Sequence, residues 1–309
     1  MMARLLRRML VAEVVFWWLL AHFWLVRDEG VGAEAAAVLG LMLGFRAFII
    51  LATYGFAWTH RSPAPAGHAI GLGAAIPMVV EEWVAFIVVF GVIQPFERFF
   101  LGEDRLAPGP RPPVLLIHGY ECNRGFWYWQ RARLEKAGWT VATLSLEPVF
   151  ASIDDYADLV ARRVDAVLAA TGAGQLVLVG HSMGGLASRT YLRARGAAKV
   201  AKLITLGSPH HGSWLAKLGI GPNARQMEPG NAWLNEINRA GAVPLPAATT
   251  SAYSPQDNYV MPQDSPLLAG ARIMVCAGIG HLSMAFSPAI TRLLLDELAP
   301  LASPDPQEK

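Results

Sequence analysis

Gly180-His181-Ser182-Met183-Gly184 stands directly after the apolar run 176–179 and opens a helical pattern. A serine between two glycines at this spacing can do nucleophilic chemistry. On a sharp turn from strand to helix its hydroxyl projects above the sheet edge, and the glycines let the backbone close around it. The helix start behind it offers amide donors and partial positive charge to a developing anion. A serine hydroxyl is a weak nucleophile until a base takes its proton, and the base needs an acid to orient it. The chain holds eight histidines from which a base can be drawn. Clusters of metal ligands and glycine-rich phosphate loops do not stand out, so no metal and no cofactor is expected.

Such a site needs a frame. Short, β-rich apolar runs lie at 114–118, 140–146, 176–180, 203–206, 249–253 and 273–277. Between them 125–137, 153–170 and 183–195 read as helices, and Ser287-Pro288 opens a last one to residue 298. Near-continuous apolar strands alternating with helices predict an α/β unit, a mostly parallel sheet with helices on both faces. It is expected over 114–300, with a small cap at 219–246 and a tail at 301–309.

The chain as a whole is too apolar for that unit alone. Apolar residues make up 53% and charged residues 16% of its 309 positions. The excess lies ahead of the sheet, in stretches at about 9–26, 35–58 and 70–95, which predict a bundle of about three transmembrane helices over 1–95. The proline-rich 96–113 reads as a linker. A cleaved signal peptide is the rival reading of the first stretch, but no small-residue cleavage site follows it. Arg4, Arg7 and Arg8 hold the N-terminal flank in the cytoplasm. The 27–34 loop, with one arginine against three acids, suits the outside, and the 59–68 loop, with Arg61, suits the inside. Three crossings make the chain a multi-pass protein of a bacterial inner membrane, with the sheet unit on the periplasmic side. Two crossings would leave that unit in the cytoplasm. Arg46 and the adjacent Glu81 and Glu82 interrupt the second and third stretches. Intramembrane charges pair, so Arg46 is expected to meet Glu81 or Glu82. Alternatively, the glutamates sit among lipid headgroups. A net charge of +2 gives no electrostatic case for a nucleic-acid partner.

Residues 112–300 resemble the α/β-hydrolase family, in particular its bacterial lipases and esterases. His118-Gly119-Tyr120, Gly180 to Gly185 and Thr205-Leu-Gly-Ser-Pro-His-His-Gly212 carry the resemblance, and the membrane stretches lie outside it. The resemblance implies a triad in the order Ser, Asp, His. His281, after the last strand, takes the place of the base. Asp257, in the loop after the fifth strand, takes that of the acid, with Asp264 as its competitor. The backbone amides of Tyr120 and Met183 map to the oxyanion hole. Trp127, Trp129 and Trp233 are candidates for a substrate pocket or for plain core. Asn123-Arg124 reads as a headgroup contact or a solvated loop. Cys122 and Cys276 are near enough to the site for a disulfide to be considered.

The implied activity is a membrane-anchored serine hydrolase that cleaves carboxylic esters, lipid esters first, through an acyl-enzyme. Its partners would be the ester substrate and the bilayer. Alternatives are an acyltransferase using the same triad, a short-chain carboxylesterase, and a transport or partner-binding bundle with an accessory hydrolase.

Overall fold

The structure, a computed structural model, describes residues 1–26 and 29–302. The expectations on Arg27 and Asp28 and on the tail beyond residue 302 lie outside the described residues.

The chain opens with α1 (Met2–Leu20), extended by a π-helical segment to Leu25, and α2 (Val31–Thr59). After a loop, α3 (Leu72–Phe86) continues through a π segment (Ile87–Ile93) and a 3-10 turn (Gln94–Phe96) into α4 (Glu97–Leu101). Among the described residues three rods are long and apolar enough to cross a membrane: Met2–Leu25, Val31–Thr59 and Leu72–Leu101. The expected pairing of Arg46 is corrected here. Its guanidinium forms a two-pronged bond with Glu13 of α1, at 2.5 and 2.7 Å, and not with Glu81 or Glu82. Glu13 and Arg46 lie on the two arms of one helical hairpin, so they meet without the third rod.

Next come β1 (Val114–Ile117), α5 (Tyr128–Lys136), β2 (Val141–Leu144), α6 (Tyr156–Thr171), β3 (Leu176–His181), α7 (Met183–Arg195) and β4 (Val200–Leu206). Two short helices, α8 (Pro222–Gln226) and α9 (Ala232–Asn238), lead to β5 (Thr249–Tyr253), β6 (Arg272–Val275) and α10 (Pro288–Leu298). The six strands form one parallel sheet in the order β2-β1-β3-β4-β5-β6. Strand β1 is buried along its whole length, as a strand covered on both faces must be. Its alternate residues serve opposite faces. Val114 and Leu116 pack with Leu134 of α5 and Ile290 and Leu294 of α10. Leu115 and Ile117 pack with Val160 and Val164 of α6 and Leu186 of α7.

The bundle shares this core. Ala85 and Val89 of the third rod sit in the same cluster as Val114 and Leu116. At the start of α1, the Met2 amide bonds Glu147 at 3.2 Å, and Arg7 bonds the Pro95 carbonyl at 2.6 Å. The loop after α2 reaches the sheet unit as well, where the Ser62 amide bonds Gln263 and the His68 carbonyl accepts from Gln256.

The proline-rich stretch after α4 is bolted down. The Asp104 side chain is buried, accepts the Thr143 amide at 2.7 Å, and pairs with Arg131 at 2.9 Å and Arg163 at 2.5 Å. The 219–246 segment has no strand, and Leu234 and Ile237 of α9 are buried against the face covered by α6 and α7.

Candidate active site

Ser182 sits where β3 turns into α7, with φ 55°. Among the described residues only Ser182 and Glu121 combine a positive φ with a side chain, and both line one cavity. Such strained backbone persists where its surroundings over-determine it. Here the surroundings are close. A Cβ at Gly184 would stand 2.2 Å from the Ile117 carbonyl, and one at Gly180 would stand 2.5 Å from the Gly185 amide. The sharp turn therefore requires glycine on both sides of the serine.

The cavity holds about 260 Å³. Ser182, His281, His181, Tyr120 and Glu121 line it, with apolar walls that include Leu215, Leu218, Ile220, Met227 and Phe90 of the third rod. His281 Nδ1 lies 2.7 Å from Asp257 Oδ2, and both side chains are buried. With Nδ1 taken, Nε2 is the nitrogen left to accept a proton. Asp257 Oδ1 also accepts the amides of Tyr259 and Val260 at 2.8 Å, which fixes the carboxylate. The Tyr259 ring stacks on His281 at 5.2 Å. Burial opposes protonation of His281, but the charge and hydrogen bond of Asp257, with the charge of Glu82 behind them, outweigh it. The imidazole is held above its usual range. Asp264 is not brought to His281, and its amide bonds Ser62 at 3.0 Å.

The other histidines near the turn hold backbone. His118 accepts the Leu146 amide on Nε2, so its Nδ1 carries the proton that it donates to the Gly119 carbonyl. Burial pushes its pKa down to about 4. His181 donates Nε2–H to the His281 carbonyl at 3.1 Å and stacks on Phe126. Its burial and the nearby His281 charge keep it neutral, well below the usual histidine range.

The Tyr120 and Met183 amides donate to no protein acceptor among the described residues. Tyr120 also ties the 219–246 segment to this loop. Its hydroxyl donates to the Ile220 carbonyl and accepts the Ile220 amide, each at 2.7 Å.

None of the three tryptophans lines the cavity, which corrects the pocket expectation. Trp127 is fully buried in the core around β1. Trp129 lies under the Arg133 guanidinium at 4.0 Å. Trp233 donates its indole N–H to Asp154 at 2.9 Å. Aromatic rings fill core as readily as pockets, and spacing alone does not separate the two. Asn123 is buried and bonds Gln94, and the half-buried Arg124 pairs with Glu97 at 2.6 Å. Both cysteines are free thiols, and burial pushes Cys122 up to about 12. Tyr259, Phe90 and Asn258 carry no motif, and sequence reasoning missed them.

Residues 112–252 match the family described as alpha/beta hydrolase fold. The chain has an α/β-hydrolase fold related to bacterial lipases and esterases. It is 38% identical over 115 residues to proteins named triacylglycerol lipase in Pseudarthrobacter phenanthrenivorans and in Burkholderia plantarii. Each match covers 34% of this chain, and 35% and 32% of those relatives' own lengths. The chain thus spans about a third of the relatives it matches. The mature form of a Bacillus licheniformis lipase superposes with a TM-score of 0.56 at 18% identity, over 64% of this chain and 96% of that one. At that identity the likeness is one of fold.

Proposed function

We propose that the chain is a membrane-held serine hydrolase that cleaves carboxylic esters, with lipid esters as the leading substrate class. One observation carries this reading: Ser182 on its strained turn and His281, paired with Asp257, line a single cavity with apolar walls. Ser182 Oγ attacks the ester carbonyl carbon while His281 Nε2 takes its proton. The oxyanion is met by the Tyr120 and Met183 amides, each such donor being worth about 2.7–4 kcal/mol. As the tetrahedral adduct collapses, His281 returns the proton to the departing alcohol. Water then attacks the acyl-enzyme, with His281 again as base, and releases the acid. Asp257 holds the tautomer with Nδ1–H and stabilises the imidazolium.

The apolar lining supports an acyl chain over a polar substituent. Leu218 and Ile220, 74% and 65% exposed at the cavity, support contact with a lipid surface. Relatives named triacylglycerol lipase support the same substrate class. The test is hydrolysis of p-nitrophenyl esters of increasing acyl length by the detergent-solubilised protein and its Ser182→Ala variant. The expected result is a rate that rises with chain length and vanishes in the variant. Activity confined to short chains would remove the lipid part, and unchanged hydrolysis by Ser182→Ala would remove the serine.

A further inference from the structure

Glu82 belongs to α3 by sequence and to the base loop by contact. Its side chain is fully buried, and its two oxygens accept the amides of Leu282 and Ser283, both at 2.8 Å. The amide of His281 itself donates to Asn258 Oδ1 at 3.2 Å. Asn258 Nδ2 in turn donates to Thr53 Oγ1 of α2 at 2.9 Å. Three consecutive amides, from His281 to Ser283, are therefore held by side chains, and each connection leads back to a helix of the bundle. Gly280 fits the same arrangement. A Cβ there would stand 2.4 Å from Glu82 Oε2 and 2.7 Å from Tyr54 Oη. Only a residue without a side chain leaves room for the carboxylate.

The physical need is plain. A 3-10 turn begins at Ser283, and the amides at such a start have no partner within the turn. A carboxylate satisfies two of them and suits the local positive field. An apolar residue at 82 would leave two buried N–H groups unpaired, which the fold would have to absorb as lost stability.

We propose that Glu82 is a positioning residue for the reaction: it fixes the backbone of the base loop and with it the place of the His281 imidazole beside Asp257. The inference rests on the reading of Ser182 and His281 as nucleophile and base. It makes the bundle part of the active site, since any slide of α3 moves the loop that carries the base. The other titratable groups around His281 are Asp257 and Tyr259 from the acid loop, His181 from the elbow, Glu121 from the oxyanion loop and Tyr54 from α2 beside Gly280.

The experiment uses the full-length protein in detergent, with Glu82→Gln and Glu82→Asp. Gln keeps the size and one acceptor but removes the charge. Asp keeps the charge and shortens the reach. The readouts are kcat and KM for a p-nitrophenyl ester across pH, the rate at which a fluorophosphonate labels Ser182, and the melting temperature. In Glu82→Gln, kcat and the labelling rate are expected to fall by about 10–100-fold, the usual consequence of a misplaced reacting group. KM should change little. The acid limb should move to lower pH, because an imidazole displaced from Asp257 loses part of the interaction that favours its protonated form. Glu82→Asp, with its shorter reach, should lose rate and move the acid limb in the same direction, and it decides the matter if the Gln variant does not fold. A labelling rate and acid limb that match wild type in Glu82→Gln would overturn the proposal alone. A purely structural role would show as early melting with an unmoved acid limb, and would also overturn it. Absence of labelling in the wild type would remove the serine reading, and this proposal with it.

Discussion

Buried charge is handled in two ways in the two halves of this molecule. In the hydrolase unit, Asp104 is surrounded by arginines from separate elements and by a backbone amide, a network that ties the segment after α4 to α5 and α6. In the bundle, Glu13 and Arg46 form one two-pronged pair, supplemented by a bond from Arg46 to the Met42 carbonyl. The first arrangement joins distant parts of the chain, and the second closes one hairpin. Glu82 crosses the division. It lies in an apolar helix, yet its partners are amides of the hydrolase unit. A charge in a membrane-type segment thus has its role set by what covers that segment, not by the segment itself.

The comparison can be broken most severely by removing the bundle. A variant lacking residues 1–95 loses Ala85 and Val89 from the core, Phe90 from the cavity wall and Glu82 from the loop of His281. Its ester hydrolysis is expected to fall by about 100-fold or more, the scale of a displaced catalytic group. Assay of the purified fragment checks this, and a fragment as active as the full chain would reduce the bundle to an anchor. A smaller effect sharpens the contrast. Arg46→Met leaves the half-buried Glu13 without its partner and should cost about 1–3 kcal/mol of stability, while hydrolysis per folded molecule stays near wild type. Adding Glu13→Gln should recover much of that loss. Thermal melts of the single and double variants in detergent, beside their hydrolysis rates, separate this stabilising pair from the positioning role of Glu82.

Much of the hydrolase unit was legible because its strands are fully buried and read as unbroken apolar runs. The elbow was legible because the turn admits only glycine around Ser182. Asp257 and His281 stand out by their places after β5 and β6, and the structure adds the contact between them. The rest depended on which surfaces meet. Glu13 looked like a break in an apolar stretch, and nothing local marked it as the partner of Arg46. Glu82 looked like an intramembrane charge in need of a cation, when two backbone amides two hundred positions away satisfy it. Gly280 carried the matching signal, a glycine beside the base, but its reason lies in α2 and α3. Trp127 shows the same limit, because an aromatic residue on a helix fits core and pocket equally.

The most direct test of the account is the site of a covalent adduct. Full-length protein in detergent is treated with a fluorophosphonate and examined by intact mass and peptide mapping, beside a His281→Ala variant. The account predicts one adduct, on Ser182, and none in the variant over the same time. An adduct on another residue, or equal labelling of Ser182 without His281, would contradict it.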